Sequence, residues 1–240
     1  MGVNMKYIVA NFKMYKTVDE AEDFAKQFKK LVKKCPNKIA ICPSFVCIAP
    51  MAKIFKEKIQ VGAQNCSDKE EGAFTGEVSA KMLKSAGAGV TILGHSERRR
   101  DFNETDSLIC EKIKTAQKNG LETIVCLADD GGEGYKQNIR AQVKELFAGV
   151  DKSREIVIAF EPVWAIGTGK TMQVQDIEPV VETIKNEAKK VLKYEPKVLY
   201  GGSVNSGNAS EILALDCVDG LLVGGASKNP QEFAKICFAK

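Results

Sequence analysis

Ile156-Val157-Ile158-Ala159-Phe160-Glu161-Pro162 opens a unit that the rest of the chain repeats. A short apolar run rich in β-branched residues reads as a strand buried on both faces. After it, Val174, Ile177, Val180, Val181, Ile184, Val191 and Leu192 recur at helical spacing and mark one apolar helix face. A strand without a polar face, followed by an amphipathic helix, is the unit of a parallel sheet whose outer side is covered by helices.

Working outward from that unit, further apolar runs lie at Tyr7 to Phe12, Lys38 to Pro43, Ile59 to Ala63, Val90 to Leu93, Thr123 to Leu127, Lys197 to Tyr200 and Gly220 to Val223. With Ile156 to Phe160 they make eight strand candidates. Val18, Ala21, Phe24, Ala25, Phe28, Leu31 and Val32 form another apolar stripe, and Thr17 with Glu20 before it reads as a capping box that starts the helix. Eight such units with no Pro/Gly/Ser linker between them predict a closed (β/α)8 barrel, eight parallel strands ringed by outer helices, in a single domain spanning residues 1–240. An open doubly wound sheet would need fewer strands and a nucleotide fingerprint. Gly167-Thr168-Gly169-Lys170-Thr171 fails as a Walker A loop because Trp164 stands where its first Gly belongs, and fails as G-x-G-x-x-G at Met172.

Composition narrows the function. The 240 residues are 44% hydrophobic and 28% charged, which excludes disorder and membrane-spanning classes. Thirty-five Lys and Arg against 31 Asp and Glu leave a charge of +4, spread without a basic block, so no nucleic-acid partner is expected. The eight cysteines are scattered through apolar runs with no C-x-x-C, as befits buried thiols in a reducing compartment. The start Met1-Gly2-Val3-Asn4-Met5-Lys6 carries neither a signal peptide nor a myristoylation motif, and Cys237 fits a helix face better than a prenylation site. A cytoplasmic protein without a membrane partner is the expectation.

In a barrel of this kind chemistry gathers where the strands end. There the sequence places Asn11 and Lys13, Gln64 and Asn65, His95, and Glu161. A lone Lys or Glu at such a position is commonly just solvated surface. Together, a cation, the chain's only histidine and a carboxylate form a set suited to proton transfer beside a carbonyl, with Lys13 and His95 stabilising charge on oxygen. The apolar run before Glu161 is expected to raise its basicity. With one histidine and no acidic cluster, no metal is expected. Gly201-Gly202-Ser203 and Gly224-Gly225 follow the last two strands, where backbone amides can hold a phosphate. Pro162-Val163-Trp164-Ala165-Ile166-Gly167-Thr168-Gly169-Lys170-Thr171 has the make-up of a lid that excludes water.

Longer motifs resemble one family. Asn11-x-Lys13-Met14, Ala63-Gln64-Asn65, Gly72-Ala73-Phe74-Thr75-Gly76-Glu77, Gly94-His95-Ser96-Glu97-Arg98-Arg99, Phe160 through Thr171, Tyr200-Gly201-Gly202-Ser203-Val204 and Leu222-Val223-Gly224-Gly225-Ala226-Ser227 occur in the order of the triosephosphate isomerase family. The resemblance implies interconversion of D-glyceraldehyde 3-phosphate and dihydroxyacetone phosphate through an enediolate, in glycolysis and gluconeogenesis, without a cofactor. It implies Glu161 as base, His95 as a neutral electrophile and Lys13 with Asn11 at the developing charge, the assignment known for that enzyme. It further implies that Glu97 holds Lys13, that Gly167, Ser203, Gly224 and Gly225 bind the phosphate, and that Thr75, Glu77 and Arg98 contact the partner of a homodimer. Phe12, Tyr15, Lys16, Met172 and Ala128-Asp129 depart from the family pattern, and the helical region after Cys126 looks short. Alternatives are an isomerase of another sugar phosphate, or a catalytically weak barrel used as a surface or binding protein.

Overall fold

The computed structural model describes residues 5–56, 59–129, 132, 134–162 and 172–240. Eight strands run in parallel and pair in sequence order: β1 (Tyr7–Asn11), β2 (Lys38–Cys42), β3 (Gln60–Ala63), β4 (Val90–Leu93), β5 (Glu122–Asp129), β6 (Ile156–Pro162), β7 (Lys197–Tyr200) and β8 (Gly220–Val223). Tyr7 of β1 pairs with Gly220 of β8, which closes the barrel. The predicted (β/α)8 architecture is therefore the one observed.

Helices α1 (Val18–Leu31), α2 (Phe45–Phe55), α3 (Ala80–Ser85), α4 (Ser96–Phe102), α5 (Asp106–Lys118), α6 (Tyr135–Leu146), α7 (Val174–Leu192), α8 (Ala209–Leu213) and α9 (Pro230–Cys237) connect the strands. The capping box forms: the Thr17 backbone N–H donates to the Glu20 carboxylate at 2.8 Å, and the Glu20 N–H donates to the Thr17 hydroxyl at 3.4 Å. Val18 and Leu31, expected on the apolar face of α1, are instead exposed at its two ends.

Side-chain alternation divides the core in two. Tyr7, Val9, Ala40, Cys42, Val90, Ile92, Ile124, Cys126, Val157, Ala159, Leu199 and Leu222 pack together inside the barrel. Their neighbours along each strand, such as Ile8, Ile41, Ile158 and Phe160, join the helices in the outer core. This period of two fixes the site, because one more inward step along each strand reaches Asn11, Gln64, Glu161, Gly201 and Gly224. At the other end Gly220 has no room for a side chain, since a Cβ would lie 1.9 Å from the Tyr7 carbonyl oxygen.

β5 and β6 each run two residues beyond their apolar stretches. Ala128 pairs with Glu161 and Asp129 with Pro162, so the carboxylate leaves a hydrogen-bonded strand. Six of the eight free thiols are buried, with Cys35 and Cys217 partly exposed. No helix among the described residues is long and apolar enough to cross a membrane.

Candidate active site

Glu161 enters the barrel mouth from β6 and is 1% exposed. Its Oε2 accepts the Ser96 backbone N–H at 2.9 Å, and its Oε1 lies 3.0 Å from His95 Nε2. Gly94 makes this approach possible. It sits at φ +70°, where a side chain would run into Ile109, and the turn it forms lets His95 cap α4. His95 Nδ1 accepts the Glu97 backbone N–H at 3.2 Å. An imidazole that accepts at Nδ1 carries its proton on Nε2, which makes it a neutral donor toward the cavity.

Lys13 approaches from β1 with φ +52°, a strained conformation for a side chain of its size. Three contacts hold it there. Its backbone N–H donates to Asn11 Oδ1 at 3.0 Å, its carbonyl accepts from Gln64 Nε2 at 2.9 Å, and its Nζ reaches Glu97 Oε1 at 2.7 Å. Gln64 also donates to the Cys42 carbonyl, tying the mouths of β1, β2 and β3 together. The sequence marked Gln64 without a role; its signal is the same inward parity that places Asn11.

Burial pushes the His95 pKa down, but the adjoining Glu161 carboxylate, its hydrogen bond and Glu97 outweigh that and hold the value above normal. For Glu161, burial pushes up while His95 and the Ser96 donors pull harder, so its pKa is lowered. This corrects the expectation that the apolar run makes the carboxylate more basic: burial acts in that direction, but donors from β4 and α4 reverse it. Below the pair, burial and then Glu161 push the Cys126 thiol far up, so it stays protonated.

A cavity of about 370 Å³ gathers Asn11, Lys13, His95, Glu161, Ser203, Gly224 and Gly225, within the range of small-molecule sites. Gly202 is required by Tyr200, whose hydroxyl would lie 2.3 Å from a Cβ there. That hydroxyl accepts the backbone N–H of Met172, and burial raises its pKa to about 12. Ser227 Oγ donates to the Gly224 carbonyl at 2.7 Å and fixes the last glycine turn. Tyr15 and Lys228, neither marked by the sequence as site residues, line the cavity rim.

Gly167 and the rest of the anticipated lid, Val163 to Thr171, lie outside the described residues. Thr75 and Glu77 are exposed. Arg98 donates to Glu104 at 2.6 Å and stacks over Phe102, so its head is bound within its own subunit.

The family model for triosephosphate isomerase matches residues 6–240. A triosephosphate isomerase of Dictyoglomus turgidum is 42% identical over 240 residues, covering 95% of this chain and 96% of the relative. Those of Thermodesulfovibrio yellowstonii and Mesomycoplasma hyopneumoniae (strain 7448) are each 40% identical over 240 residues, covering 96% of this chain and 98% of the relative.

Proposed function

Because the chain belongs to the triosephosphate isomerase family and interconverts D-glyceraldehyde 3-phosphate and dihydroxyacetone phosphate, we propose that Glu161, His95 and Lys13 carry the reaction. Glu161 takes a proton from the hydroxyl-bearing carbon next to the carbonyl and returns it to the former carbonyl carbon, while the hydroxyl proton crosses to the former carbonyl oxygen by way of His95 Nε2. The electron pair left behind becomes an enediolate, whose oxygens face His95 Nε2–H and the Lys13 ammonium. The observation that carries this reading is the convergence of these three groups over the Gly224-Gly225 turn in one cavity.

The lowered pKa of Glu161 belongs to its position against His95 and Ser96. To reach a carbon-bound proton the carboxylate leaves Ser96, sheds those donors, and is left with burial, which raises its basicity at the moment it acts. The same movement removes the partner that favours imidazolium, so His95 meets the substrate as a neutral donor. Asn11 and Lys13 contact the substrate, Glu97 positions Lys13, and the backbone of Ser203, Gly224 and Gly225 receives the phosphate, with Gly167 and the Pro162 to Thr171 lid as further elements of this reading.

The test is isomerisation by purified protein in D2O, in chelator and without cofactor. Deuterium from solvent in the product supports a protein base, and Glu161→Gln should lose about 10²- to 10⁴-fold in rate. Full retention of the substrate hydrogen together with an active Glu161→Gln would refute it.

We also infer a homodimer acting in cytoplasmic glycolysis and gluconeogenesis, built as one domain over residues 1–240. Met14, Tyr15, Phe45, Val46, Phe74, Met82 and Phe102 are all exposed, and all belong to connections that follow β1 to β4. Met5 and Phe238 are exposed elsewhere, but an apolar set concentrated on one side of a barrel is what a partner surface requires. The exposed Thr75 and Glu77 lie in the same quarter of the molecule.

A further inference from the structure

Lys228 ends the 3₁₀ turn Gly225–Lys228 that follows β8, and its side chain lines the cavity rim beside Tyr15. Its Nζ sits 3.8 Å from the centre of the Tyr15 ring. Lys13 is held by Glu97 and Lys185 by Asp219, but among the described residues no carboxylate stands within 4 Å of the Lys228 ammonium. Lys228 is partly buried, and the ring face it lies against attracts the cation and limits how far it can swing.

We infer that Lys228 is an anion-capture residue: at the mouth it receives the phosphate dianion of the incoming triose phosphate and passes it to the backbone of Gly224 and Gly225, which stand immediately before it in the same turn. This rests on the reading that the phosphate seats at those glycines. Tyr15 is the positioning partner. A field from one rim cation acts on association rather than on the proton-transfer step, and it is screened by salt.

The experiment compares wild type, Lys228→Met, Lys228→Arg and Lys152→Met in kcat and kcat/KM across ionic strength, with inorganic phosphate as a competing anion. Lys152 lies in the loop before β6, at the opposite end of the barrel, so its removal changes net charge alone. Lys228→Met should lower kcat/KM by about 3- to 10-fold at low salt, with the loss shrinking as salt rises and the phosphate inhibition constant rising in parallel. Lys228→Arg should restore both, and Lys152→Met should match wild type.

Equal values and equal salt slopes for Lys228→Met and wild type overturn the role of Lys228 and leave the glycine seat standing, provided phosphate competes in both. Equal losses in Lys228→Met and Lys152→Met also overturn it, in favour of net charge. If phosphate does not compete in the wild type, the glycine seat itself falls, and the role of Lys228 falls with it.

Discussion

His95 Nε2 and Glu161 Oε1 stand 3.0 Å apart, both nearly sealed from solvent, so neither titrates independently of the other. Replacing His95 with Gln leaves the carboxylate with burial pushing up and only Ser96 pulling down. The Glu161 pKa should then rise, and the acid limb of kcat/KM, which reports the free enzyme, should move to higher pH. An unmoved acid limb would show that His95 does not set the ionisation of Glu161.

The same pair makes a stability prediction with a defined window. A lowered native carboxylate stabilises the fold above its unfolded value of about 4.3, an effect lost as pH falls through the native value. A raised native histidine stabilises fully below about 6.5, and that is lost as pH rises through its native value. The stability advantage of wild type over His95→Gln should therefore peak between about pH 4.3 and 6.5, as read by urea melts across pH.

Lys13→Ala should cost about 3–4 kcal/mol in transition-state stabilisation, read as a fall in kcat/KM of two to three orders of magnitude. Gln64→Leu should act on the same step more mildly, because it removes one of the three contacts that hold Lys13 at φ +52°, together with the tie to the Cys42 carbonyl, without removing the ammonium. Two lost hydrogen bonds of about 1 kcal/mol each set an upper scale of roughly 30-fold. Wild-type kinetics in Gln64→Leu would show that Asn11 and Glu97 suffice to hold Lys13.

Lys112 and Glu104 form a buried ion pair that extends to Asn65 on one side and Arg98 on the other. Glu104 Oε2 is buried without a hydrogen-bond partner among the described residues, so the carboxylate depends heavily on its cations. Lys112→Met should destabilise the fold by about 3–5 kcal/mol, since it strips a buried charge of a partner. At about 2–4 °C per kcal/mol for a chain of this size, a thermal shift under 4 °C would contradict that estimate.

How far the sequence carried this reading depends on where the physics is local. Three strands, Val90–Leu93, Lys197–Tyr200 and Gly220–Val223, begin and end where their apolar runs do, because burial on both faces is written into composition. β5 and β6 run further than expected, because at the mouth the inward positions turn polar while backbone pairing continues, as in Ala128 with Glu161. The ionisation of Glu161 was not legible, since Ser96 lies 65 residues away and its N–H reaches the carboxylate only when the barrel closes. Lys228 carries no local signal of its own; its meaning comes from Tyr15, across the junction of β8 and β1.

The exposed apolar set around the loops after β1 to β4 gives the last prediction. Val46 is 69% exposed on the first turn of α2, so Val46→Arg leaves the fold of one subunit intact while placing a charge in the proposed contact. Sedimentation should show wild type as a dimer and Val46→Arg shifted to monomer, with unchanged far-UV circular dichroism. Phe238→Arg, on the exposed end of α9, should remain dimeric. Activity should fall with the dimer, because Met14 is 95% exposed and directly follows Lys13, whose left-handed backbone a partner surface would steady. A Val46→Arg variant that stays dimeric would move the interface elsewhere; one that is monomeric yet fully active would show that Asn11, Gln64 and Glu97 hold Lys13 unaided.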